Sequence, residues 1–400
     1  MSSQPSSIKP PIWILALGAG LGPFAVTLVA PAIPALRDDL SAGPNIAQLV
    51  LTTLLISIAL GQLIAGPLSD RFGRRPLFIF GSLAYAVGGI GASLSHSATT
   101  IIIFRVLQGL GAAASIAMSR SIVLDSYDRD GAARAMSSII AMMAVIPVLG
   151  TSLGGVLTEL IGWRGAFLVL ACTGGILFFC VHTKIKETHT TRKQTSIKSI
   201  MLGYSELLRS SHFLAAALTT AFQTGVFFAL MGFIAYSFAR MNIGPAEFGF
   251  WMGTTSLGYV LGNLLNKRLL KIYSIESITF YGSIASILNL ALMWGCYNLD
   301  PSNPVSLALP MFLVGISNGV IIANSIILAS SSIPYLRGSA TGLVGALQMT
   351  SGGVAGTLAV WLGADQNTNI GIITLIAFGI ASSLAALWSY RVQNIHNKRT

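Results

Sequence analysis

Charged residues are scarce in this chain, and their scarcity argues against an ordinary soluble protein. Only 9% of the 400 residues are Asp, Glu, Lys or Arg, whereas 53% are hydrophobic. A soluble domain carries roughly a quarter charged residues. The composition therefore indicates a membrane protein whose charge is confined to loops and helix ends. The net charge of +11 fits the positive-inside bias of such a protein better than a nucleic-acid surface.

Cysteine and the common catalytic patterns are also lacking. The three cysteines, Cys172, Cys180 and Cys296, lie in apolar stretches without a CxxC neighbour or a histidine at ligand spacing. This pattern predicts neither a disulfide framework nor a metal site. The sequence has no GxxxxGK loop and no Ser/His/Asp set, so we expect no ATP hydrolysis, no other enzymatic activity and no cofactor.

Long runs without Asp, Glu, Lys or Arg occur twelve times along the chain. They cover residues 10–36, 40–69, 76–104, 106–119, 135–158, 165–183, 210–239, 248–266, 277–299, 301–336, 338–364 and 366–390. About 20 apolar residues cross the membrane as a helix. Only the fourth run is short, because Arg105 interrupts a helix that we expect at about 99–123. Since the runs lack the alternation of barrel strands, the sequence predicts an all-α protein with twelve transmembrane helices.

Lys and Arg are distributed unevenly between the two sides of this arrangement. With both termini inside, the inner loops and tails hold twenty of the 24, Arg120 among them. The outer loops hold only Arg37, Arg164 and Arg240. This asymmetry predicts that both termini are cytoplasmic. We interpret the first residues, MSSQPSSIKPP, as a cytoplasmic tail rather than a cleaved signal.

A long basic inner loop divides the chain into two similar parts. We expect an N-terminal six-helix half at 1–183, a cytoplasmic linker at 184–209 and a C-terminal six-helix half at 210–400. Weak repeats support this division: GPLSDRFGRR at 66–75 echoes GNLLNKRLLK at 262–271. The end of the linker has helical spacing of apolar residues, and its sequence leaves open whether it is a surface helix or disordered.

The most unusual stretch is GPLSDRFGRRP, residues 66–76, in the loop between spans two and three. Its spacing resembles the signature loop of the major facilitator superfamily, and the resemblance covers the whole chain. It implies two pseudo-symmetric six-helix halves that alternate access to a central site. The residues that match the loop or mark its expected partner are Gly66, Asp70, Arg71, Gly73, Arg74, Arg75 and Asp125.

The resemblance implies that this loop is a conformational latch. Gly66 would let span two approach span eleven closely near residues 338–341, and Asp70 would face the start of that helix. Arg74 or Arg75 would link Asp70 to Asp125 at the end of span four. The alternative is that the arginines of the loop only anchor the topology.

Spans four and five carry two further resemblances. Arg105, Gln108 and Gly109 are similar to a second family signature and are expected to form a proton or substrate relay, because an arginine within a span is a functional candidate. The alternative is that Arg105 snorkels to the outer interface.

The residues similar to the antiporter signature of span five are Pro147, Gly150, Gly154 and Gly155, for which ordinary small-residue packing is the alternative. Together with WRGAF at 163–167 and LRGSATGL at 336–343, these motifs are most similar to the bicyclomycin- and chloramphenicol-resistance branch of drug–proton antiporters.

No Asp or Glu is expected in the middle of any span, which departs from the family pattern. Many relatives carry a carboxylate in span one, where this chain has Thr27. Proton coupling is therefore left open, and a strongly cationic substrate is disfavoured because it would need a buried anion. Neutral, zwitterionic or anionic substrates fit better, with Arg105 available to an anionic group. We expect the central cavity to include Thr27, Phe222, Gln223, Phe227, Asn318 and Asn324.

The sequence thus predicts a monomeric transporter of the bacterial inner membrane that contacts lipids and small molecules. The leading function is efflux of drugs or metabolites by alternating access, with protons as the coupling ion. One alternative is a specific exporter, importer or facilitator of a metabolite or siderophore without proton coupling. The other is a non-transporting sensor or assembly partner, which the intact signature loop disfavours. The substrate and the direction of transport do not follow from the sequence.

Overall fold

The computed structural model describes residues 9–188 and 197–397. All twelve predicted spans are helical, and the described residues contain no strand. The helices up to residue 184 are α1 Ile12–Val29, α2 Ile33–Asp39, α3 Pro44–Phe72, α4 Arg74–Ser93, α5 Ala98–Ser126, α6 Arg129–Ile161 and α7 Trp163–Lys184. The later helices are α8 Ile197–Arg209, α9 Ser211–Arg240, α10 Pro245–Leu269, α11 Ile275–Leu299, α12 Val305–Ser331, α13 Arg337–Trp361 and α14 Thr368–Asn397.

Span one consists of two helices, since a 3₁₀ turn at Ala30–Ala32 separates α1 from α2. Pro31 and Pro34 lack the N–H that a continuous α-helix requires, which explains the break. Counted in this way, eleven spans are long and apolar enough to cross a membrane. The remaining one, α10, has 25 residues, but its sequence PAEFGFWMGTTSLGYVLGNLLNKRL is rich in Gly, Thr, Ser and Asn along its length, which lowers its mean hydropathy.

The predicted linker contains a helix at Ile197–Arg209, as the helical spacing of its apolar residues indicated. Tyr204 in α8 donates a hydrogen bond to the Leu63 carbonyl at 3.2 Å, and Leu207 is buried against α13 and α9. Burial raises the pKa of the Tyr204 phenol, so the group keeps its proton as a donor. Residues 1–8, 189–196 and 398–400 of the predicted tails and linker lie outside the described residues.

Because successive spans run in opposite directions, the loops after α3, α5, α7, α10 and α12 share one end of the bundle. We call this end the basic end, since it carries Arg71, Arg74, Arg75, Lys267 and Arg268. Below, the first half denotes α1–α7 and the second half α9–α14. The helices of each half pack mainly with one another, and the halves meet through α3 with α13 and through α6 with α10.

Candidate functional site

The signature loop is a single residue between two helices. Helix α3 ends at Phe72, Gly73 has φ 102°, and α4 begins at Arg74. A positive φ of this size favours glycine. A Cβ on Gly73 would also collide with the carboxylate of Glu187. The sharp reversal places the arginines of the loop at the start of α4.

Arg74 lies at the centre of a charged cluster at the basic end. Its guanidinium is 2.9 Å from the Asp70 carboxylate and 3.2 Å from that of Asp125, and it also donates to the Ser69 hydroxyl. The predicted link from Asp70 to Asp125 is therefore present and is made by Arg74. Both ion pairs are partly buried, since the Arg74 side chain is 13% exposed. A pair of this kind contributes about 1 kcal/mol, and the cluster fixes the relative position of the ends of α3, α4 and α5.

The other two arginines of the loop have different contacts. Arg75 donates to the carbonyl of His182 at the end of α7, at 2.8 Å. The Arg71 guanidinium lies 5.3 Å from the ring centre of the neighbouring Phe72. Only Arg74 therefore bridges the two predicted carboxylates.

Glu187, which the sequence analysis did not assign to the site, completes this cluster. Its carboxylate accepts the backbone N–H of Arg74 at 3.0 Å and that of Arg75 at 3.2 Å. These are the first two N–H groups of α4, which have no acceptor within the helix, and the helix dipole favours an anion there. The segment after span six is thereby attached to the signature loop. One feature of the sequence could have indicated this contact: Glu187 is an isolated acidic residue in a basic loop, and that loop is predicted on the same side of the membrane as the loop with Asp70.

The predicted close approach of Gly66 to span eleven is absent from this conformation. A Cβ on Gly66, or on Gly338 near the start of α13, would meet no atom within 4 Å. Further from the basic end, α3 and α13 are in contact: the Gln62 side chain lies against Gly345, and Leu63 packs on the apolar cluster that includes Leu343. The two halves therefore separate before they reach the basic end.

At the opposite end, α3 and α13 are in tight contact. The buried side chain of Gln48 lies between Gly232 of α9 and Gly356 of α13, and a Cβ on these glycines would be 2.8 and 2.7 Å from its amide nitrogen. The Thr52 and Thr357 hydroxyls share a hydrogen bond of 2.8 Å. Glycine thus lets a polar side chain close this interface.

Helices α6 and α10 form a second contact toward the opposite end. Gly155 faces the Pro245 carbonyl, and a Cβ on Gly249 would lie 2.5 Å from the Thr151 carbonyl oxygen. The Ser152 hydroxyl donates to the Gly249 carbonyl at 3.2 Å. This small-residue contact brings the backbones of the two halves together.

The remaining glycines of the predicted antiporter-type helix serve other contacts. Gly150 and Gly154 pack against Thr27 and Leu28 of α1, and α6 continues through Pro147 as one helix. One turn beyond Gly155, the Glu159 carboxylate accepts the backbone N–H of Ala246 at 3.3 Å. Glu159 therefore caps the first turn of α10 from the other half.

Arg105 is fully buried and occupied by protein acceptors. Its guanidinium donates to the carbonyls of Val50 at 2.9 Å and Ala25 at 3.1 Å, and to the Gln108 side chain at 2.8 Å. The side chain is 0% exposed. Gly109 allows α3 to approach, since its Cβ would lie 2.7 Å from the Leu54 carbonyl oxygen. Arg105 therefore joins α1, α3 and α5. The sequence suggested either that Arg105 snorkels to the outer interface or that it is available to an anionic substrate, and in this conformation its side chain does neither.

The structure does not bring the six predicted cavity residues together. Thr27 is 1% exposed and bonds to the Pro23 carbonyl of its own helix, where Gly150 covers it. Gln223 and Asn318 pair with each other inside the second half. Thr27, Gln223 and Asn318 thus each have a hydrogen-bond partner within their own half, as is usual for buried polar groups.

The other three predicted cavity residues also have partners within the second half. Asn324 and Asn266 exchange two hydrogen bonds of 2.8 and 2.9 Å. Phe222 packs on Phe378 with ring centres 5.9 Å apart, and Phe227 packs on its neighbour Phe228 at 5.4 Å. Asn266 is the position that the internal repeat aligns with Asp70. At this position the second half therefore has an uncharged amide pair.

Comparison with known proteins extends these observations. The model of the Major Facilitator Superfamily matches residues 15–357. The chain is 28% identical over 380 residues to the uncharacterized MFS-type transporter YdgK of Bacillus subtilis (strain 168), covering 92% of this chain and 94% of the relative. It is 25% identical to the bicyclomycin resistance protein homolog of Haemophilus influenzae, covering 96% and 97%. For multidrug resistance protein D of Escherichia coli (strain K12), identity is 27% and coverage is 90% and 91%.

Solved structures show the same fold. The structure of a D-xylose–proton symporter superposes with a TM-score of 0.77 over 94% of this chain and 96% of that one, at 14% identity. The signature loop, the paired six-helix arrangement and the family match therefore agree. The chain belongs to the major facilitator superfamily of secondary membrane transporters, and among its members it is similar to the bicyclomycin- and chloramphenicol-resistance branch.

Proposed function

We propose that this protein exports small organic molecules, antibacterial drugs among them, across the bacterial inner membrane by exchange with protons. The observation that carries the proposal is the asymmetric contact between the halves. Glycine-lined interfaces join the halves toward the opposite end, whereas Gly66 and Gly338 at the basic end have open space. A transporter that alternates access needs two such ends that close in turn.

The distribution of positive charge supports an orientation for this cycle. With the basic end in the cytoplasm, both termini are cytoplasmic, and the conformation described above opens inward. The Arg74 cluster then lies at the inner ends of α3, α4 and α5, where Asp70 would meet the start of α13 when the inside closes. We assign the halves to 1–183 and 210–400, joined by the linker at 184–209, in a protein that works as a monomer.

The names of the relatives support drug export, because two of the proteins described above are named for resistance to bicyclomycin or to several drugs. A third relative, from Pseudomonas aeruginosa, is named a chloramphenicol resistance protein. Chloramphenicol is neutral, which agrees with a transporter that lacks a buried anion for a cationic substrate.

An uncoupled exporter is the second candidate, and one observation favours it. In the described ranges, every Asp and Glu of a span lies within three residues of a helix end, so no carboxylate titrates at mid-membrane. Asp125 is the best placed carboxylate for coupling under the leading proposal, since it lies at the basic end of the helix that carries Arg105.

Transport by the purified protein in proteoliposomes tests the proposal. We expect an imposed pH gradient to drive chloramphenicol against its own concentration gradient, and its dissipation by an ionophore to stop this movement. Downhill movement without proton flux would support the uncoupled exporter instead. A lack of chloramphenicol and bicyclomycin movement in either direction would contradict drug export.

A further inference from the structure

Arg120 has an environment unlike that of the other arginines within spans. The sequence analysis counted Arg120 with the inner loops, close to the expected end of its helix at about residue 123. The structure places it inside α5, six residues before the helix ends at Ser126. At ~1.5 Å per residue this is about 9 Å from the helix end. An arginine at such a depth is costly and usually has a partner.

Arg120 makes no hydrogen bond, ion pair or ring contact with any residue in the described ranges. Arg105, on the same helix, donates to three acceptors, and Arg74 contacts two carboxylates. The Arg120 side chain is nevertheless only partly exposed. Its charge is therefore available to a molecule that is not part of the chain.

The helical register shows which way Arg120 faces. Gly109 and Ala113 of α5 contact α3, and Ile116 contacts Gly22 of α1. Arg120 continues this stripe by one turn toward the basic end, because residues four apart share a helix face.

Helices α3 and α5 run in the same direction, and their contacts fix the level of Arg120. Arg105 of α5 bonds to Val50 of α3, and Arg74 brings Asp125 of α5 close to Asp70 of α3. A residue of α5 therefore lies level with the residue of α3 that is about 55 positions earlier in the sequence. Arg120 is thus level with Gly66, where a Cβ would meet no atom within 4 Å. Arg120 therefore lies at the depth at which the backbone of α3 has open space beside it.

We propose that Arg120 binds the anionic group, a carboxylate, of a transported small organic anion. This proposal rests on the proposed export function and adds a substrate class to it. The planar guanidinium can hold a carboxylate through two parallel hydrogen bonds. The sequence analysis assigned the binding of an anionic group to Arg105. We assign it to Arg120 instead, because the Arg105 guanidinium is fully buried.

Binding of two matched probes to the purified full-length protein tests this proposal. The probes are 2-naphthoate, a carboxylate, and 2-naphthamide, which has the same ring but no charge. Affinities are measured by titration calorimetry in phosphatidylcholine nanodiscs for the wild type, Arg120→Gln, Arg120→Lys and Arg134→Gln. Arg134 is an exposed arginine of α6 near the same end and serves as the control for general positive potential.

We expect Arg120→Gln to weaken naphthoate binding about 10- to 100-fold, as for loss of a charge-assisted hydrogen bond, and naphthamide binding much less. Arg120→Lys should retain part of the naphthoate affinity, and Arg134→Gln should retain all of it. Equal losses for both probes in Arg120→Gln would show a structural role and overturn the proposal. Wild-type protein that does not prefer naphthoate over naphthamide would overturn it as well.

Two further arms separate neighbouring explanations. Naphthoate affinity should not change when phosphatidylglycerol is added to the nanodiscs, and competition by this lipid would show that a lipid phosphate occupies Arg120 instead. Chloramphenicol transport by the wild type is measured separately. Failure of that neutral compound to move would contradict drug export, whereas the probe comparison decides anion binding.

Discussion

Gly155 lies where α6 meets the first turn of α10, and a methyl group at this position has no room. A Cβ there would lie 2.9 Å from the carbonyl carbon of Pro245 and 3.1 Å from the Cα of Ala246, both in α10. Both are backbone atoms, so only a movement of the helices can relieve the collision. Overpacking of this kind costs about 1–3 kcal/mol.

The cost of Gly155→Ala applies only to the conformation in which the halves touch at the opposite end. The ratio of that conformation to others should therefore fall about 5- to 150-fold. The measurement is the distance between spin labels on cysteines at Asn45 and Ser302, exposed positions at this end on different halves. A background without the three native cysteines is needed. We expect a second, longer distance to become populated.

Gly175→Ala in α7 is the matched control, because a Cβ there would meet no atom within 4 Å. It should leave the distance distribution unchanged. An unchanged distribution in Gly155→Ala as well would refute the reasoning that this glycine contact closes the opposite end. A loss of folded protein in Gly155→Ala alone would instead assign the contact to stability.

Three other substitutions test the site at both ends. Asp70→Asn should slow transport severalfold but lower stability by only about 1 kcal/mol, since it weakens one partly buried ion pair while Arg74 keeps its contact with Asp125; wild-type rates at equal protein levels would contradict a latch. Arg105→Lys should lower the midpoint of thermal unfolding and reduce transport of neutral and anionic compounds alike. The reason is that buried carbonyls lose a donor, at a cost of about 1–3 kcal/mol for each carbonyl. A reduction of transport confined to anionic compounds would contradict a purely structural role of Arg105. Glu187→Ala should lower the free energy of unfolding by about 1 kcal/mol, because it removes the cap of α4. Lys186→Ala is the control and should have no effect on thermal unfolding; equal effects of the two substitutions would rule out capping.

The transmembrane architecture could be predicted from the sequence because the signals for it are local. Apolar runs of sufficient length fix the number and order of spans, and each predicted run is a helix in the structure. The Arg74 cluster was also foreseeable, since Asp70 and Arg74 are four residues apart in one tight loop and Asp125 lies at the end of a span on the same side. Glu187 was harder to assign, because its contact with α4 spans 113 residues of sequence.

Only the tertiary structure decided which polar residues face open space and which are enclosed. Hydropathy is nearly uniform around these helices, so it does not reveal how each helix is rotated against its neighbours. Packing turns Thr27, Asn324 and Arg105 into contacts within a half, where their polar groups find partners. The same packing leaves Arg120 partly exposed and without a partner among the described residues. The sequence by itself determined the spans and the signature loop, whereas the close approach of small residues between helices determined the closed end and the position of the available charge.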